Sequence, residues 1–479
     1  MRRGYFVAWA LLMLTGCAPR MPHLAAPDKI QNLRISPTLV TGSSTTPAQP
    51  DWWRSLLNPA EQKILQLALS KNPDLAAAEA RVRLATADLR EAGAQLLPQV
   101  QASGQLGISQ WTKNQFYLPP YAGETSWNNA LKLDFSYNLD IGGQEQARAK
   151  VAQYRLGIAE QRRRAAVLLV ENAVLQQILA VRADDAILAQ LHQEQTLLRQ
   201  IQEIEKARYQ QGLADSLRAL GYARRISSLQ EDIVIQQAKV RKNRQALAVL
   251  CGVGTRLPRD LSATPVRIPL SGWHIPRQIP AAWIAGRPDV LARRSAIEAA
   301  AEAIHVARDA YYPNVNIVAF AGGLAAAGSL FTFLHPGSLQ AGVGPAISLP
   351  LFTGGRLRGK FDAARADYHL ALAQYQQSLL QALQQVTATL TDLQAAGQER
   401  TSLDQRDHLL QLQKRLQQQR YKAGLSNALP ELEVKLTLID NHLQQTRLNA
   451  RARQSLINLY AALGGRVIPD TWFQHRQAP

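Results

Sequence analysis

Gly354-Gly355-Arg356-Leu357-Arg358-Gly359-Lys360 has residue types that could hold a phosphate. A glycine-rich loop that opens a helix points backbone N–H groups at phosphate oxygens, and a lysine at its end adds charge. The next residue is Phe361, where that chemistry needs a hydroxyl for a metal ion, and no strand with a second acidic metal ligand follows. A strand-to-helix turn that needs glycine flexibility explains the stretch better. The nine histidines are scattered, without a His-x-x-x-His pair or a Cys/His zinc pattern. No nucleophile elbow or supported Ser/His/Asp set occurs. Asp184-Asp185 reads as a solvated helix face, and Cys251 as a small buried apolar residue at a helix end. The expectation is a protein that is not an enzyme and has no metal.

Cys17 is different. Arg2 and Arg3 form a basic start, and 5–14 is an apolar run. That run is too short to cross a bilayer, which takes about 20 residues, so it reads as a signal peptide. It leads into Leu14-Thr15-Gly16-Cys17, which resembles the lipobox of bacterial lipoproteins. The resemblance implies that Cys17 becomes the first mature residue and carries N-acyl and S-diacylglycerol lipid, the only cofactor-like group expected. Ala18 follows, rather than the aspartate that typically retains a lipoprotein in the inner membrane, so an outer membrane anchor is expected. With Cys17 acylated, Cys251 has no partner for a disulfide. Residues 19–50 are rich in Pro, Ser and Thr and read as a tether. No later segment offers about 20 uninterrupted apolar residues, so no transmembrane helix is expected.

The elements that would follow such an anchor are written twice. Asn72-Pro73-Asp74-Leu75 matches Arg287-Pro288-Asp289-Val290, and Leu97-Pro98-Gln99-Val100 matches Tyr312-Pro313-Asn314-Val315, both at a spacing of 215. Leu139-Asp140-Ile141-Gly142-Gly143 matches Leu351-Phe352-Thr353-Gly354-Gly355 at 212, as Arg208-Tyr209-Gln210-Gln211-Gly212-Leu213 matches Arg420-Tyr421-Lys422-Ala423-Gly424-Leu425. Both halves close on Leu-x-Gly, at Leu250 and Leu463. Composition bias could imitate Ala/Gln-rich helices but not the placed Gly and Pro.

Each half predicts a helix, two strands and a helical hairpin. The helices are placed at about 73–97 and 288–312 and stop at Pro98 and Pro313. Strands at about 99–110 and 128–141 alternate apolar with Gln, Ser, Lys, Asp and Asn. In the second half, 339–351 alternates with small Gly and Ser, whereas the strand at 314–323 alternates poorly. No proline interrupts 144–211 or 356–422, and each helix would be roughly 100 Å long at 1.5 Å per residue. Gly212-Leu213 and Gly424-Leu425 are the predicted tips, before return helices at about 216–250 and 428–463 with Asp215 and Asn427 as N-caps. The expected organisation is signal peptide 1–16, lipidated tether 17–50, first repeat 51–252, equatorial linker 253–286, second repeat 287–465 and C-terminal tail 466–479.

Helices this long cannot be buried in a one-chain globule, so they must pair as antiparallel coiled coils. Four half-apolar strands cannot close a barrel alone, and open edges are not tolerated in lipid. Three copies would give twelve strands, within the range of membrane barrels. The polar faces would line a wet lumen, and the loops 112–126 and 325–338 would be extracellular. A soluble sheet packed on helices has the same periodicity; the signal peptide and lipobox weigh against it. The net charge of +18 is spread along helical segments without a nucleic-acid motif, so no nucleic-acid partner is expected. Such a surface also suits anionic headgroups or anionic cargo.

Asp51-Trp52-Trp53, Ala68-Leu69-Ser70-Lys71-Asn72-Pro73-Asp74-Leu75, Arg287-Pro288-Asp289-Val290 and Leu349-Pro350-Leu351-Phe352-Thr353-Gly354-Gly355-Arg356-Leu357-Arg358 resemble TolC-like outer membrane efflux proteins, and among them the NodT-type lipoproteins. The resemblance spans nearly all of the mature chain. It implies a mainly α fold with a small β part: a homotrimer whose four strands per chain share a twelve-stranded β-barrel above a coiled-coil periplasmic tunnel. It implies a passive outer membrane duct for small molecules, partnered by a periplasmic adaptor and an inner-membrane pump, often of the resistance-nodulation-division class. It also implies adaptor contacts at Gly212, Leu213, Gly424 and Leu425, and an entrance involving Glu433, Tyr421 and Arg218. Pro430 and Arg218 stand where the family often has acids. A duct for type I protein secretion shares this fold and stays open as an alternative. A periplasmic coiled-coil adaptor lipoprotein fits less well, because an adaptor would have one hairpin flanked by small β-domains.

Overall fold

The computed structural model describes residues 19–27, 39–40, 53–54, 57–114, 122–256, 279–325 and 328–466. Cys17, most of the tether, residues 115–121, most of the linker and the tail beyond residue 466 lie outside the described residues. The chain divides into two compact units.

The first unit takes in Arg81–Glu160 and Ala292–Gln376. Its centre is an antiparallel sheet of β2 (Gln99–Gln105), β5 (Asn129–Asn138), β7 (Asn314–Ala325) and β8 (Leu339–Ser348), in that order. The first expected strand is interrupted: β3 (Ile108–Gln110) pairs with β4 (Thr125–Trp127) after a break at Leu106-Gly107. There the Gly107 carbonyl accepts from the Asn128 N–H, and its N–H donates to Asn129 Oδ1. Cross-strand partners share a face. One face therefore carries Ala102, Leu133, Ala321 and Ala341 in one row, and Val100, Phe135, Ala319 and Val343 in the next. Leu133 is 56% exposed and Val343 80%, so among the described residues nothing covers this face at mid-sheet. The loop before β8 folds back at one end, where Phe333 is buried and Asn129 Nδ2 donates to the Leu330 carbonyl.

Helices flank the sheet in sequence: α2 (Pro73–Ala94) and α6 (Pro288–Asp309) lead into it, and α3 (Gln144–Gln210) and α7 (Arg356–Lys422) leave it. The turn into α3 holds Asp140 at φ 45° because its carboxylate accepts from the N–H groups of Glu145 and Gln146. The matching turn into α7 uses Gly354 and Gly355 at φ 58° and 87°, which accounts for the phosphate-loop look-alike. Along α7 the buried residues Leu357, Phe361, Ala364, Tyr368, Tyr375, Leu379, Ala382, Val386 and Leu390 keep a three-four spacing, the seam of a coiled coil.

The second unit includes Gln161–Leu291 and Gln377–Pro479. Sequence reasoning missed α1 (Pro59–Lys71). It starts on a capping box in which Asn58 Oδ1 accepts from the Glu61 N–H and Glu61 Oε2 accepts from the Asn58 N–H. Glu61 also forms a buried ion pair with Arg182. The two-residue strands β1 (Leu39–Val40) and β6 (Ile279–Pro280) pair in parallel, and β6 leads directly into the short α5 (Ala281–Ala285). Helices α4 (Ser216–Leu250) and α8 (Leu429–Ala462) return from the tips. Leu429, Leu436 and Leu443 of α8, seven apart, pack with Leu198, Ile201, Leu229 and Ile233 of the first hairpin. Part of α3 is long and apolar enough to cross a membrane by length and composition alone. Its Val174, Leu175 and Ile178 are buried within the protein instead.

The repeats also close alike. Asn72 Nδ2 donates to the Leu250 carbonyl at 2.9 Å, and Arg287 Nη1 donates to the Ala462 carbonyl at 3.0 Å. In each half the residue before Pro-Asp thus ties the start of the repeat to its last helix, satisfying a carbonyl that a helix end leaves free.

Candidate functional site

Both hairpin tips are built by one device. Gly212 sits at φ 70° and Gly424 at φ 69°. The Gly212 N–H donates to the Tyr209 carbonyl and the Leu213 N–H to the Arg208 carbonyl; Gly424 to Tyr421 and Leu425 to Arg420 repeat the pattern. This is the Schellman ending, which needs a left-handed residue and usually tucks the following apolar side chain against the helix. Here the usual contact residues are Arg208 and Arg420, and Leu213 and Leu425 stay 64% and 72% exposed. Each tip therefore presents a leucine, with Tyr209 and Tyr421 also half exposed.

The caps after the tips differ. Asp215 Oδ1 accepts from the N–H groups of Leu217 and Arg218, as its residue type foretells. The Asn427 side chain accepts from the Leu429 N–H, but Ala428 occupies the N-cap position of α8. Pro430 has no N–H to offer at the next position, which leaves Leu429 as the donor that Asn427 can reach.

Of the three residues expected at the entrance, Glu433 and Arg218 take separate partners within the chain. Glu433 Oε1 accepts from the Tyr222 hydroxyl at 3.1 Å, a bond between α8 and α4. Arg218 pairs with Glu205 at 3.3 Å, and Arg208 lies 3.6 Å from the same carboxylate. The Tyr421 side chain joins neither group and is half exposed. Tyr222 was not singled out by its sequence context; its position ten residues beyond Gly212, opposite Glu433, becomes visible only when the hairpins pack. Burial, then the Glu433 carboxylate, raises the Tyr222 hydroxyl above its ordinary pKa. A second link lies deeper: Arg225 Nη2 donates to Glu194 at 2.9 Å and stands 3.8 Å from Asp440 of α8. Burial raises the Glu194 carboxyl, with the Arg225 bond opposing.

Among the described residues no group of three or more His, Cys, Asp or Glu side chains could hold a metal ion. Cys251 is fully buried and its thiol is pushed up to about 11 by desolvation, so it is a packing residue rather than a nucleophile. The arrangement offers two tips with exposed leucines and a four-stranded sheet whose edge strands, β2 and β8, each have one neighbour among the described strands of that sheet.

Known proteins agree. The family model for outer membrane efflux protein matches residues 64–253 and 280–465. The chain is similar to the multidrug resistance outer membrane protein MdtP of Escherichia coli, 27% identical over 95% of this chain and 94% of that one. It is similar to the pyoverdine export outer membrane protein OpmQ of Pseudomonas putida, 29% identical over 88% and 90%. The crystal structure of the outer membrane protein VceC of Vibrio cholerae superimposes with a TM-score of 0.77 at 27% identity, covering 88% of this chain and 99% of that one. The chain belongs to the outer membrane efflux protein family and is the outer membrane component of an efflux pump, with the family's trimeric channel fold.

Proposed function

We propose that this chain is a lipid-anchored duct that passes small molecules outward from an inner-membrane pump of the resistance-nodulation-division class, through a periplasmic adaptor seated on Gly212, Leu213, Gly424 and Leu425. The observation that carries this reading is the pair of exposed leucines on equivalent turns. A Schellman turn normally hides that side chain, and two left open in register offer matched apolar knobs to a helical partner. Glu433, Tyr421 and Arg218 contribute to the entrance, with Tyr222 holding Glu433. The lipid is carried by Cys17 in Leu14-Thr15-Gly16-Cys17. The names of the similar proteins, multidrug resistance and pyoverdine export, support small-molecule cargo.

The test is a double variant, Leu213→Ser with Leu425→Ser. The expected result is normal trimer in the outer membrane, loss of cross-linking between the tips and the adaptor, and drug sensitivity equal to a gene deletion. Full resistance with an intact trimer would overturn the tip assignment. Separately, Cys17→Ser should abolish labelling by radioactive palmitate; labelling that persists would remove the lipid anchor.

A further inference from the structure

The polar face of the sheet turns apolar at the middle of β7. Gln99, Gln101, Ser103 and Gln105 of β2 share that face with Lys132, Asp134 and Ser136 of β5. Their partners on β7 are Val318, Phe320 and Gly322, and beyond these on β8 Gly344, Gly342 and Gln340; Asn314, Asn316 and Ser348 keep the same face polar at one end. Val318 is 38% exposed and Leu324 46%, while Phe320 is partly exposed. The opposite face of β7 and β8 is also apolar, through Ile317, Ala319, Ala321, Ala341 and Val343. Lipid contact therefore accounts for one face of β7 and leaves the other unexplained.

One row across this sheet combines three chemistries. Gln101, Asp134, Phe320 and Gly342 are successive cross-strand partners. The Phe320 ring leans over Gly342, where an added Cβ would lie 2.8 Å from Cε1 and 3.0 Å from Cζ. Glycine at that position lets the ring lie low on the wall. On the other side Asp134, the cross-strand partner of Phe320, accepts from the Ser103 hydroxyl at 3.1 Å, which fixes one oxygen and keeps a carboxylate in the row of the ring. Lys132 stands one row along, opposite Gly322, so the carboxylate and not the ammonium shares the row of Phe320.

We propose that this row is a cargo-contact strip in the lumen and that it favours organic cations bearing an aromatic ring. The Phe320 ring can stack on the ring of such a cation, and the carboxylate in the same row supplies the complementary charge. A trimer would carry the strip on three sides of its lumen. The proposal rests on the channel reading and names the chemistry of its cargo.

The test is single-channel block of the purified full-length trimer in a planar bilayer. The probes are benzyltriethylammonium, tetraethylammonium and benzenesulfonate. In the native channel the benzyl cation should block at about a three- to tenfold lower concentration than tetraethylammonium, the range of one aromatic pair contact. Phe320→Leu keeps an apolar side chain for folding and should bring that ratio close to one, and Phe320→Tyr should restore it. Asp134→Asn should weaken block by both cations. An unchanged ratio in Phe320→Leu, or block by benzenesulfonate as strong as by the benzyl cation, would overturn the proposal. A native trimer that conducts no ions would overturn the channel reading beneath it, and the two failures are thereby distinguished.

Discussion

Leu133→Arg places a charge in the middle of the exposed apolar face. Leu133 lies on the inner strand β5, between Ala102 and Ala321, and is 56% exposed in the single chain. In the assembled barrel that exposure faces lipid. An arginine on the lipid face near mid-bilayer costs about 2–4 kcal/mol, which over three copies is about 6–12 kcal/mol per trimer. The matching control is Ser136→Arg on the opposite face, beside Gln99 and Val318, where water can solvate the charge and the cost should stay below about 1 kcal/mol per copy. The assay is trimer content of isolated outer membranes, together with the temperature at which the detergent-solubilised trimer dissociates on a gel. Leu133→Arg should deplete the trimer and lower its dissociation temperature, and Ser136→Arg should leave both near native values. Equal damage from the two, or greater damage from Ser136→Arg, would refute the assignment of the faces.

Three further outcomes follow from the second unit. Gly252 sits at φ 66°, and a Cβ there would run into the Lys71 backbone, so Gly252→Ala should destabilise by about 1–3 kcal/mol and lower the melting temperature seen by circular dichroism. Leu436→Ala removes the middle leucine of the α8 seam and should cost about 2–5 kcal/mol, read by the same melt. Burial raises the Glu194 carboxyl, so the fold holds that proton more tightly than the unfolded chain does. That contribution is complete below the unfolded value and is lost as pH rises through the folded one. Glu194→Gln should flatten the fall in melting temperature as pH rises above the ordinary carboxylate range; a steeper fall would contradict the sign.

The duplication was legible because its markers are residues with backbone demands. Gly212, Gly424, Gly252 and Gly464 all hold positive φ, and Pro98 and Pro313 end helices that stop at Ala94 and Asp309. Such positions tolerate few substitutes, so they stand out without an alignment. The helix α1 was also visible in principle, in Asn58-Pro59-Ala60-Glu61 followed by Ile64, Leu65 and Ala68. It was overshadowed because its counterpart in the second half, α5, is only Ala281–Ala285 and breaks the register. The partners of Glu433 and Glu194 were not legible. Tyr222 lies more than two hundred residues from Glu433, and only the packing of one hairpin on the other selects it; Arg225 meets Glu194 across the first hairpin, where the pairing depends on the register of α3 and α4.

The two halves kept their geometry and diverged in polarity. Asn72 and Arg287 differ in charge and length, yet each donates to a carbonyl at the close of its own repeat. A backbone acceptor asks only for an N–H at the right place, so the residue type could change while the fold held. The strands obey a looser rule. One face must stay apolar for lipid in both halves, and β2, β5, β7 and β8 all comply. The other face answers only to water and cargo, and there β2 and β5 carry Gln, Ser, Lys and Asp along their length while β7, polar at Asn314 and Asn316, turns to Val318 and Phe320, beside Gly344 and Gly342 of β8. Because the fold places no demand for apolarity on that face, the departure at Val318 and Phe320 is best explained by what passes across it. The poor alternation of β7 in the sequence, which looked like a weak strand signal, is then the trace of a strand with apolar work on both faces.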